Sequence, residues 1–196
     1  MGASFDKAVE ITLKWEGGKT TDTGGDTNFG ISKKAYPNVD VFSLTREGAK
    51  DIYRRDYWNA LGLDAVDNQG GASALFDFAV NAGISRAKTE AQAALKDLGI
   101  VSDKGAGLIP AINAAGGKFA NALMEKRLSF YQNLATSKPA TYQKYLAGWE
   151  KRAKSFFSSA AGATVTAAAS KKTYLVLAGL AGLGLGYWYF KKKKRA

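Results

Sequence analysis

FDKAVEITLKWEGGKTTDTGGDTNFGIS, residues 5 to 32, changes character in its middle. The first half sets Phe5, Ala8, Val9, Thr12 and Leu13 at the three-and-four spacing of one helix face, with Ser4 in place to cap it. Glu16 falls one turn beyond Thr12 and is in phase with the core side. Gly17 and Gly18 follow and are expected to end the helix by taking positive φ. The second half gathers Asp22 and Asp26 among Gly24, Gly25 and Gly30, so acids stand where the backbone is freest.

Outward from this stretch the apolar stripes predict further helices at 45–57, 71–82, 85–98, 108–115, 118–136 and 140–157. Ala49, Ile52, Tyr53 and Tyr57 mark one stripe, and Phe119, Leu123, Leu128 and Tyr131 another. Strand signals are confined to 27–42, where TNFGIS begins at most a short hairpin. The fold class is mainly α.

Composition narrows the chemistry. The 196 residues hold no cysteine and no histidine. Ser-His-Asp and Cys-His catalysis are excluded, as are the imidazole ligands of most catalytic zinc sites. Carboxylates remain, and no metal or other cofactor is expected. Residues 1–150 carry 18 Lys and Arg against 17 Asp and Glu, whereas 151–196 carry 10 basic residues and no acid. The net charge of +11 is thus a property of the tail, and the near-neutral folded part speaks against nucleic acid as a partner. The N-terminus is amphipathic and acidic, without the continuous apolar stretch of a cleavable signal peptide.

The tail contains YLVLAGLAGLGLGYWYF, residues 174–190, flanked by Lys171 and Lys172 and by KKKKR at 191–195. As a helix it spans ~26 Å, near the lower limit for a bilayer. Tyr174 at one end and Tyr187, Trp188 and Tyr189 at the other take interfacial positions. A transmembrane helix over 173–190 is expected, with a linker at 158–172 and a basic tail at 191–196. Gly182 and Gly186 offer a small-xxx-small pair for self-association. The heavier basic flank is expected inside, which turns the domain toward the outside of the membrane.

Within the domain, a glutamate at the inner end of a helix, half removed from water, has its neutral form favoured, as a general acid requires. A glycine-rich loop lets the backbone approach a bulky polymer and brings a second carboxylate across a cleft. Acid helix, open loop and second acid form the arrangement of a glycosidase. The same residues also suit blander roles: Glu16 as a solvated helix end, and Asp22 and Asp26 as turn-forming residues. Asp77 and Asn81, four apart in an apolar helix, either line the cleft or close a helix–helix contact.

Four motifs in succession now carry a resemblance: Glu16-Gly17-Gly18; Asp22-x-Gly24-Gly25-x-Thr27-Asn28-Phe29-Gly30-Ile31-Ser32; LTREGAKDIYRRDYW at 44–58; and LFDFAVNAG at 75–83. Together they resemble the N-acetylmuramidases of glycoside hydrolase family 108, a lysozyme-like group. Arg127, Tyr131 and the GWEKR of 148–152 stand in the order of the peptidoglycan-binding module that accompanies that family. The resemblance covers residues 3–156. It implies a muramidase lobe over 1–100 and a helical C-terminal lobe over 101–157. Glu16 matches the family's catalytic acid, and Asp22 matches its D-x-G-G aspartate. The loop is shorter than is common in the family, so Asp26 stays beside Asp22 as a candidate for the second carboxylate. Thr27 matches a loop threonine that faces the cleft in related phage lysozymes. The implied catalytic set is Glu16, Asp22 and Thr27, with Asp26, Asn28, Asp77 and Asn81 as candidate substrate-binding residues.

The implied activity is hydrolysis of the β-1,4 bond between N-acetylmuramic acid and N-acetylglucosamine in peptidoglycan. The enzyme would be held by its C-terminus in a phage virion membrane or a host inner membrane, for lysis or entry. A membrane-anchored, non-catalytic wall-binding scaffold and a lytic transglycosylase are the alternatives.

Overall fold

The computed structural model describes residues 2–22, 25–100 and 107–160. The described residues form seven α-helices and one small three-stranded sheet. Helix α1, Phe5–Leu13, is capped by Ser4, whose side chain accepts from the Lys7 N–H. Gln69 clasps that start from the head of another helix, accepting from Ser4 N and donating to Ser4 O. The three strands β1 (Thr20–Asp22), β2 (Gly25–Asn28) and β3 (Ile31–Ser32) follow in an antiparallel meander.

Helix α2, Arg46–Tyr53, is capped by Thr45 and runs into one wider π-helical turn at Arg54–Asn59. That turn carries Tyr57 and Trp58 into the core. Helices α3 (Gln69–Ala82), α4 (Ile84–Asp97), α5 (Leu108–Ala115), α6 (Lys118–Ser137) and α7 (Pro139–Ala160) complete the fold.

Every side chain of α3 from Gly71 to Ala82 is buried. A helix apolar all round belongs at the centre, and α3 packs against α1, α4, α6 and α7. Gly83 turns the chain sharply from α3 into α4 at φ +89°, a backbone that only glycine takes without strain. One apolar cluster runs from Ala3 to Phe156. Within it Phe5, Trp58 and Phe76 meet edge to face at 5.6–5.8 Å, the favoured geometry for ring quadrupoles.

Two expectations are corrected. The hairpin expected at TNFGIS is present as β2 and β3, but the sheet begins earlier, at Thr20, and residues 33–44 form turns rather than strand. Gly17 and Gly18 do not take positive φ: α1 stops at Leu13, and its cap Lys14 is right-handed. The turn that follows is closed by Trp15 N–H to Thr12 O at 2.9 Å.

Helix α7 continues to Ala160, through the first positions of the expected linker. The rest of that linker, the transmembrane segment at 173–190 with Gly182 and Gly186, and the basic tail lie outside the described residues. Among the described residues no helix is long and apolar enough to cross a membrane. The boundary expected after residue 100 falls at 101–106, also outside them.

Candidate active site

Glu16 emerges just past α1, and its side chain is only 6% exposed. Its Oε1 accepts a hydrogen bond at 2.8 Å from Arg152 Nη2, delivered by α7. Its other oxygen, Oε2, lies against Gly30, where the β2–β3 turn passes so close that a Cβ would overlap both the Glu16 carboxylate and the Tyr53 hydroxyl. The turn is a two-residue one with Phe29 at φ +49° and Gly30 at φ +75°. Positive φ at both central residues matches the right-handed twist of a hairpin, and at Phe29 it carries strain. Tyr53 holds the turn in place, its hydroxyl donating to Phe29 O at 2.8 Å. Burial, and then the negative charge of Glu16, push the Tyr53 hydroxyl well above the usual tyrosine range, so it stays a donor.

Glu16, Gly30, Ser32, Tyr36, Tyr53 and Asn81 are among the residues that line a single concave pocket. Tyr36 is steadied at its edge by donating to Asp56 Oδ2 at 2.8 Å.

Behind the pocket lies a buried ionic network. Arg152 Nε donates to both oxygens of Asp77, at 3.1 and 3.0 Å, and Nη2 donates to Asp77 Oδ1 at 2.7 Å. Arg127 Nη1 stands 2.8 Å from Asp77 Oδ2. That contact is ionic rather than a well-directed hydrogen bond, since both terminal nitrogens of Arg127 lack a hydrogen-bond partner among the described residues. The guanidinium instead lies over the rings of Phe78 and Tyr131, at 5.1 and 5.5 Å, where the π-face favours a cation. Arg127 Nε donates to Tyr131 Oη, and Tyr131 in turn donates to Asn81 Oδ1. Burial pushes the Asp77 carboxyl up, and the charges of Arg152 and Arg127 overcome it, holding the group below its ordinary value.

The candidate residues therefore separate. Glu16 and Asn81 meet in the pocket. Asp77 is fully buried behind it and bonded to arginine. Asn28 is buried and donates to Val41 O and Leu44 O, tying the loop after the sheet to β2. Thr27 pairs with Thr20 and with Ser32, a pocket residue. Asp26 points to the opposite face of the ribbon, where its carboxylate accepts from Thr21 Oγ1 at 2.9 Å. Asp22 occupies the register position opposite Gly25, and its side chain lies outside the described atoms.

The sequence points to no site role for Arg152, Gly30 or Tyr36, and for Tyr53 it favours core packing over sugar stacking. A signal for Arg152 existed: it interrupts the stripe Trp149, Ala153 and Phe156 on α7, as Asp77 interrupts that of α3, and two opposite charges in two buried stripes call for each other.

Comparison with known proteins adds three findings. Residues 9–83 match the family Glycosyl hydrolase 108. The chain is also similar to a solved structure, Brucella abortus SagA, at 30% identity and a TM-score of 0.66, over 84% of this chain and 98% of that one. No curated protein sequence matches.

Proposed function

Because the chain belongs to glycosyl hydrolase family 108 and is a glycoside hydrolase, we propose that it cleaves the β-1,4 bond between N-acetylmuramic acid and N-acetylglucosamine, with Glu16 as proton donor. Peptidoglycan is the substrate the family implies. The observation that carries the assignment is the setting of Glu16. One oxygen is fixed by Arg152, the other borders the pocket, and the carboxyl is almost removed from water. A carboxyl held in one orientation at a cleft can deliver its proton to a glycosidic oxygen without first searching for it.

Asp22 is the second carboxylate of this reading. Asp26 is disfavoured by its bond to Thr21 on the ribbon face away from Thr27 and Ser32. Asn81 is the described polar side chain best placed to bond a sugar, since it lines the pocket and Tyr131 fixes its amide. Tyr36, half-buried at the pocket edge, supplies an aromatic face on which a pyranose can stack. The helices from α5 onward lie beyond the matched residues 9–83. In this reading they serve as a wall-binding lobe and also lend Arg152 to the site.

The apolar segment at 173–190 anchors the enzyme in a virion or inner membrane, with the heavier basic flank inside and the catalytic domain outside, facing peptidoglycan. Supporting this are the basic flanks and aromatic ends of that segment.

The test is digestion of purified peptidoglycan by the full chain, with mass analysis of the released muropeptides. Reducing N-acetylmuramic acid ends are expected. Reducing N-acetylglucosamine ends would place the cut at the other bond, anhydro-muramic ends would make the enzyme a lytic transglycosylase, and no release would favour a scaffold.

A further inference from the structure

Glu16 and Asp77 share one donor, Nη2 of Arg152, yet their surroundings are unequal. Asp77 accepts three hydrogen bonds from Arg152 and faces Arg127 as well, and it is fully buried. Glu16 accepts one hydrogen bond and keeps Oε2 at the pocket. Hydrogen bonds and cations around a carboxylate favour its charged form. Arg127 has no other described carboxylate to pair with, so a neutral Asp77 would strand a buried guanidinium.

We propose that Asp77 is a permanently ionised counter-ion that occupies Arg152, and that this occupation leaves Glu16 free to hold and release a proton. Asp77 is thus a positioning residue for catalysis, acting through Arg152 and touching no substrate. The inference rests on the reading of Glu16 as proton donor. Without Asp77, Arg152 would have Glu16 as its one described carboxylate partner and would fix it in its ionised form, which has no proton to give. The other titratable groups lining the pocket with Glu16 are Tyr53 from α2, Tyr57 from the π-helical turn and Tyr36 from the loop after β3. None of the three brings a cation.

The order of protonation tests this in the full-length protein. In a ¹³C carboxyl NMR titration from neutral pH downward, Glu16 is expected to take up its proton first, with Asp77 still ionised. The reverse order overturns the proposal. A second measurement is the pH profile of kcat/KM. Asp77→Asn should move the alkaline limb to lower pH by about one unit or more, and Arg127→Gln should move it the opposite way. Folded variants with unmoved limbs, or with limbs displaced in the same direction, overturn it too. If either variant does not fold, the titration of the unaltered protein still decides. Failure of the function reading is distinguishable: an active Glu16→Gln variant removes Glu16 as donor whatever the order of protonation, whereas a reversed order with an inactive Glu16→Gln removes only the role of Asp77.

Discussion

Arg152 of α7 and Glu16 beyond α1, 136 residues apart in sequence, meet through a 2.8 Å hydrogen bond from Nη2 to Oε1. The last described helix thus supplies the fixed partner of the proposed acid near the start of the chain, and the site exists only when both ends of the domain are folded together.

Replacing Arg152 by Met should therefore be costly. It keeps the apolar stem but leaves Asp77 with one cation and Glu16 with none among the described hydrogen bonds and ion pairs. Breaking a buried pair from one side destabilises by about 3–5 kcal/mol. Urea unfolding at neutral pH should show a loss of that order, together with loss of hydrolysis. A variant of unchanged stability would mean that the network contributes little.

Gly30 is expected to tolerate no side chain. In Gly30→Ala the new methyl would meet the Glu16 carboxylate and the Tyr53 hydroxyl, and the residue would have to hold φ +75°. The backbone part costs about 1–2 kcal/mol. The overlap with Glu16 should reduce turnover well beyond what the unfolded fraction explains. Steady-state kinetics beside a thermal melt checks this, and activity that follows the folded fraction alone would count against the close approach.

How far the sequence foretold this follows from the reach of each interaction. Helix α3 is legible because ALFDFAVNA is largely apolar, and Ser4 is legible as a cap because capping is local. The β2–β3 hairpin is legible in TNFGIS, whereas β1 is not, because TTD lacks the alternation of a half-buried strand and only its pairing with β2 defines it. Gly17 and Gly18 suit helix termination, but α1 ends already at Leu13. Glu16 stood out through its place in the helix phase. Arg152 did not, because the one local signal, a charge interrupting the apolar stripe of α7, does not name its partners, which lie 75 and 136 residues away.

Stability should fall at both extremes of pH, for opposite reasons. The Asp77 carboxyl is held below its ordinary value of 3.8 once the arginines overcome its burial. Its contribution is fully present above that value and is lost as pH falls through the lowered one. Tyr53 and Tyr131 are raised above the ordinary 10.0 by burial. Their contribution is present below 10.0 and is lost as pH rises through the raised values. Chemical denaturation across pH should give a plateau between these limits. Asp77→Asn should lower the plateau and flatten its acid edge, and an unaltered acid edge would contradict the assignment.

The most direct test of the account is Glu16→Gln, which preserves the shape and the oxygen that accepts from Arg152 while removing the transferable proton. Asp77 still neutralises Arg152 in this variant, so folding should persist. Peptidoglycan turnover, followed as release of reducing ends, should fall by at least ~10²-fold. Turnover near that of the unaltered protein, in a variant shown to be folded, would contradict the claim that Glu16 is the acid.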